Sequence, residues 1–234
     1  TVSMSSDNAG DATLANADDT VTVTIVASEA IEAPTVTIAG VSVESSAVVG
    51  SGNSWTATHT VVSGDTEGVA ALSVAYVDVV GNGGVGVTAV TDTSSVTIDL
   101  TAPTLTGVRL ESNAVDTSLA VLGSVVMVRL NVSEAIVEPT VQIRGVGATV
   151  SCTGTECTAS VTVDSSVSDG AVSFVVGSIM DVAGNAGSGT SSVTDGSSVT
   201  VDQSSLTLTM RELRSNNSAS TMRAVVGDLV TLAI

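Results

Sequence analysis

Residues 74–99, VAYVDVVGNGGVGVTAVTDTSSVTID, return in outline as residues 177–202, GSIMDVAGNAGSGTSSVTDGSSVTVD, with the turn motifs and the closing strand kept. Asp78 and Asp181 each open a D-V-x-G-N turn. Asp92 and Asp195 sit in T-D-x-S-S, and Asp99 and Asp202 close the stretch; all three pairs lie 103 residues apart. Upstream, Ser28-Glu29-Ala30-Ile31 recurs as Ser133-Glu134-Ala135-Ile136. Self-similarity at a domain-sized period means tandem modules, each long enough to bury its own core. The repeat divides the 234 residues into a module over 1–103, a second over 104–205, and a remainder, 206–234, holding the first two strands of an incomplete third.

Working outward, the segments between these landmarks read as strands. Thr20–Ser28 (TVTVTIVAS) alternates, with Val21, Val23 and Ile25 on one face and threonines on the other. In the second module Val126, Val128 and Leu130 do the same. That period of two is a half-buried strand. Further strands are predicted at residues 1–6, 35–38, 41–43, 54–62, 69–77 and 95–99, in the same order in both modules. Seven or so strands with a turn about every ten residues is the count of a β-sandwich. Valine and threonine are abundant and the aromatics are Trp55, Tyr76 and Phe174 alone. β-branched residues lose side-chain freedom in helices and fit pleated sheets, so the fold class is all-β.

The formal net charge is −18 and lysine is absent. The first module carries twelve acids and no base, the second ten acids against Arg109, Arg129 and Arg144. Such a surface repels nucleic acid and anionic lipid, whose binding needs cations to displace counterions. No apolar run reaches the length of a membrane helix. The chain reads as a mature piece or excerpt of a longer protein, its third module completed by later residues or by strands donated from a neighbouring molecule.

The D-V-A-G-N turn, the closing V-T-I-D strand and the Asp99-Leu100-Thr101-Ala102-Pro103 junction resemble the bacterial-type immunoglobulin-like repeats of large surface adhesins. Hyalin-repeat and cadherin-like modules are more distant relatives. The second junction, Asp202-Gln203-Ser204-Ser205, departs by lacking the proline. The resemblance implies tandem immunoglobulin-like β-sandwich domains in an extracellular adhesin, stalk or fibre, acting as rigid spacer beads. It also implies calcium at the module junctions, with Glu29, Asp78 and Asp99 as ligands in the first module and Glu134, Asp181 and Asp202 in the second. Hard cations take six to eight oxygens of this kind. The competing reading is that these acids accept backbone N–H bonds in turns. The partners implied are further copies of the same repeat, in the same or neighbouring chains.

Cys152 and Cys157 enclose Thr-Gly-Thr-Glu between two strand-like runs, a hairpin staple for an oxidising compartment. Asn131-Val132-Ser133 and Asn216-Asn217-Ser218 fit the N-glycosylation pattern, with Asn216 in a predicted loop. His59, the only histidine, aligns with Val161 and reads as a strand residue; no G-x-S-x-G elbow accompanies it, so no nucleophile–base set and no enzyme is expected. A carbohydrate- or protein-binding module is the alternative function, though sugar sites stack on aromatics, which are scarce here.

Overall fold

The computed structural model describes residues 1–204, so the third-module segment and Asn216 lie outside the described residues. The first module runs β1 (Val2–Ser6), β2 (Leu14–Ala15), β3 (Thr20–Val26), β4 (Thr35–Ile38), β5 (Val41–Ser42), β6 (Val48–Ser51), β7 (Ser54–Thr60), β8 (Gly68–Val69), β9 (Leu72–Ala75) and β10 (Thr97–Ile98). One sheet has the order β1-β3-β7-β6, and facing it lies β5-β4-β9. The closing strand β10 runs parallel beside β2 and antiparallel to β8. The four-strand order, the opposed three-strand sheet and the parallel pairing of the last strand with the early β2 make an immunoglobulin-like sandwich.

The second module repeats the plan: β11 (Leu105–Ser112), β12 (Leu119–Ala120), β13 (Val125–Val132), β14 (Ile136–Val137), β15 (Val141–Ile143), β16 (Val146–Gly147), β17 (Thr149–Thr153), β18 (Glu156–Thr162), β19 (Gly170–Ala171), β20 (Phe174–Val176), β21 (Ile179–Asp181), β22 (Ala186–Gly187) and β23 (Thr200–Val201). Its sheets are β11-β13-β18-β17 and β16-β15-β20, with β12-β23-β19 matching β2-β10-β8 and a small sheet β14-β21-β22. In the first module that small sheet survives as the single bridges Ile31↔Asp78 and Val77↔Gly83.

Two separate buried clusters fill the sandwiches, one built from residues 2–98 and the other from residues 108–201. Val21, Val23 and Ile25 point inward, as do Val126, Val128 and Leu130, while Thr22 and Thr24 are half-buried. The predicted register therefore holds. Each such side chain contributes about 1.5–3 kcal/mol on burial. The predicted strand over 69–77 is corrected: it splits into β8 and β9, because the chain crosses from the β10 sheet to the β4 sheet at Ala70-Ala71. The last strand is also shorter than the predicted 95–99, two residues in each module.

The β4–β5 and β15–β16 hairpins turn through two residues of positive φ, Ala39-Gly40 and Arg144-Gly145. Such turns match the twist of the strands they join. Arg144 offsets its unfavourable backbone with its guanidinium, which donates to the Ser168 and Ala171 carbonyls at 2.9 and 2.7 Å.

The T-D-x-S-S repeat covers a sheet edge. Val2 and Met4 of the outer strand β1 donate their N–H groups to Thr91 Oγ1 (2.7 Å) and Ser94 Oγ (2.9 Å). Thr91 N–H returns a bond to the Val2 carbonyl. Val108 and Leu110 of β11 repeat the arrangement with Thr194 and Ser197. Hydroxyls thus occupy an edge that would otherwise offer itself to another strand.

Candidate junction site between the modules

The D-V-x-G-N loop is closed in both copies by its aspartate and its asparagine, with one further N–H that differs. Asp181 Oδ1 accepts the N–H groups of Gly184 (2.7 Å) and Asn185 (2.8 Å), and its Oδ2 accepts from the Asn185 amide at 2.8 Å. Asp78 Oδ1 accepts from the N–H groups of Val80 and Asn82, and its Oδ2 from the Asn82 amide. A carboxylate that caps its own loop this way holds it in one shape. These bonds, the Asn82 side chain first, hold the Asp78 carboxyl below the usual aspartate range.

What surrounds the two loops differs. The second-module loop is pressed against the first module, and Asp181 is 1% exposed. The second hydrogen of the Asn185 amide reaches the Asp99 carbonyl at 2.9 Å. From the other side Asn8 donates to the Ala183 carbonyl at 2.8 Å and to Asp19 Oδ2 at 2.7 Å. Asp19 Oδ2 also fixes the Asn16 N–H, so Asn8, Asn16 and Asp19 form one polar ledge under the loop. Behind it a Cβ on Gly187 would overlap the Pro103 carbonyl, so glycine is what lets β22 lie against the linker. The linker itself is tied on by Thr104, whose N–H donates to Ser133 Oγ and whose carbonyl accepts from Ser133 N–H.

Three carboxylates converge here. Asp99 from the first module and Glu134 and Asp181 from the second each place one oxygen within 4.8 Å of the others'. Burial raises the Glu134 carboxyl above the usual glutamate range, and the Asp99 and Asp181 charges push it the same way; a Ser133 hydrogen bond opposes them. Like charges gathered in partly buried space are costly unless a proton or a cation joins them. Fixed carboxylate oxygens with nearby carbonyls suit a hard divalent ion such as calcium.

Of the six predicted ligands the structure gathers these three. Glu29 and Asp78 lie at the opposite end of the first module, lining a cleft of about 160 Å³ with Tyr76, Asn82 and Gly84. Asp202 lies at the far end of the second module, accepting from Ser204 N–H at 2.9 Å. The recurring Asp92 and Asp195 are turn formers: each accepts the N–H of the serine two residues on.

Cys152 and Cys157 are disulfide-bonded across β17 and β18, as predicted. The same cross-strand place in the first module holds Gly50 and Trp55, the indole donating to the Gly52 carbonyl at 3.1 Å. Asn131 lies within β13, paired with Gly107 and Glu156, its side chain exposed. His59 is more than an ordinary strand residue. Its Nε2 lies 2.7 Å from Asp65 Oδ2, with side-chain exposures of 12% and 3%. The alignment could have shown the pair, since Val161 and Val167 stand at both positions in the second module. The Asn8–Asn16–Asp19 ledge was hidden for the opposite reason. Its counterparts, aligned by the hydrogen bonds they make, are Ala114, Val121 and Ser124.

No helix among the described residues is long and apolar enough to cross a membrane. No protein-family model and no curated protein matches the chain. Solved structures do. A bacterial ice-binding adhesin concerned with host cell surface retention is 21% identical, with 87% of this chain and 65% of that one covered and a TM-score of 0.42. The fibronectin(III)-like modules of Clostridium thermocellum CbhA are 12% identical, covering 86% and 93%, TM-score 0.36. A titin tandem of immunoglobulin domains is 12% identical, covering 82% and 93%, TM-score 0.29.

Proposed function

We propose that the chain is a stretch of an extracellular array of immunoglobulin-like modules, serving as a rigid spacer in an adhesin, stalk or fibre. In this reading the joint between modules is the functional site. Calcium held by Asp99, Glu134 and Asp181 stiffens it, and the repeat family resembled by the sequence is that of the bacterial surface adhesins. The observation that carries the reading is the wedged 181–185 loop, bonded to both sides of the junction while three carboxylates from the two modules converge beside it. The disulfide suits an oxidising compartment, and the acidic surface suits divalent cations rather than polyanions.

Thermal unfolding tests it. An ion bound only to the folded form adds about 2.7 kcal/mol at a hundredfold excess over its Kd. Millimolar calcium should raise the Tm of the chain above its value in chelator, and Asp99→Asn or Glu134→Gln should remove most of that rise. Superimposable curves with calcium and with chelator would leave the acids as turn formers.

A further inference from the structure

The two copies of the D-V-x-G-N loop share the same Asp–Asn closure yet differ in cover. Ala183 is fully buried against the first module, whereas its counterpart Val80 is 80% exposed. Around Val80, Val79 and Val85 are also exposed. Asn185 spends both amide hydrogens, on Asp181 and on the Asp99 carbonyl. Asn82 makes only the bond to Asp78, so among the described residues its second hydrogen faces the place an Asp99-like carbonyl takes at the covered end. Glu29, the counterpart of Glu134, lines the cleft beside it.

We infer that this end of the first module is a docking face for the C-terminal end of a further module of the same kind. The face offers what the second module offers to the first: an Asx-caged loop, a spare amide hydrogen and two of three carboxylates. The missing members are an aspartate and carbonyl at the Asp99 position, which both modules carry where the last strand ends, as Asp99 and Asp202. Side-chain polarity narrows the partner further. Valine at 80 replaces alanine at 183 and, with the exposed Val79 and Val85, makes the face apolar. The C-terminal end of the second module has the apolar set, Ala114 and Val121 at the first two places of the ledge, with Asp202 at the Asp99 position. Val121 and the adjoining Leu122 are exposed, 55% and 60%. Apolar end meets apolar end, head to tail, the heterologous contact that extends an array rather than closing it. The inference rests on the reading of the chain as an end-to-end array and names the partner at its first joint.

The test adds one module to the full chain. Residues 104–202 followed by 100–107 are placed directly before Val2, which keeps the spacing of the observed junction, and amide hydrogen exchange is measured. The Val80 and Asn82 amides should slow about tenfold or more relative to the parent chain, since local opening then requires undocking. Val80→Glu, at a surface position in the parent, should abolish the slowing. The Gly184 and Asn185 amides are the internal reference. Unchanged exchange at 80–82 with protected 184–185 overturns the docking face and leaves the rigid-spacer reading standing. Fast exchange at both loops overturns the rigid junction as well.

Discussion

His59 and Asp65 occupy places where the other module has Val161 and Val167, so the fold contains its own natural double substitution. Removing one partner of a buried polar pair leaves the other unsatisfied, at about 1–3 kcal/mol, whereas replacing both by apolar groups is near neutral. Asp65→Val and His59→Val should each lower stability in urea unfolding, and the double variant should recover most of the loss. Additive losses would show that the hydrogen bond is not what links the sites. Glu134 makes a second prediction. Its folded-state pKa is raised, so in chelator its contribution favours the fold below the unfolded value of 4.5 and is lost as pH rises through the folded value. Without cation, Glu134→Gln should therefore be more stable than the parent at pH 7, with the gap closing toward pH 4. With calcium the order should reverse. A variant less stable than the parent in chelator at pH 7 would contradict the charge crowding at the junction. The aspartates of the Asx turns, such as Asp92 and Asp195, carry the opposite sign: held low by serine hydrogen bonds, they favour the fold above 3.8 and lose that effect in acid.

At the scale of elements, the strands were legible wherever one face is buried. The alternation in Thr20–Val26 and Val125–Val132 set the register, and the period of the repeat set their order. Strands were misjudged where the chain changes sheet, as at Ala70-Ala71, because the alternation of buried Ala70, Leu72 and Val74 runs through the crossing without a break. The role of T-D-x-S-S was not legible either. Its recurrence marked it as important, but a hydroxyl strap needs knowledge of which strand lies at the edge. That element carries a prediction. Thr91→Val with Ser94→Ala leaves the Val2 and Met4 N–H groups open, so the variant should lose about 1–2 kcal/mol from two hydrogen bonds. It should also aggregate faster on concentration, as freed edges do. Unchanged light scattering and stability would mean that the strap is incidental.

For the whole molecule, the six predicted ligands were legible as a set and misleading as a set. Repeat positions are equivalent within a module but not in their surroundings. Asp181 meets a neighbouring module and is buried, while Asp78 faces solvent with the same loop around it. The ledge that makes the junction, Asn8 with Asn16 and Asp19, is kept in the second module only as the Ser124 hydroxyl, with Ala114 and Val121 at the two asparagine places, so it left no signal in the alignment. The joint we propose holds two sandwiches at a fixed angle when its carboxylates share a cation. Backbone ¹⁵N relaxation of the chain, in millimolar calcium and then in chelator, measures this directly. The prediction is one common rotational diffusion tensor for residues 1–99 and 108–202 with calcium, separating into two faster, independent ones when calcium is withdrawn. Independent tumbling of the two modules in calcium would contradict the rigid joint, and a common tensor unchanged by chelator would contradict the part assigned to the ion.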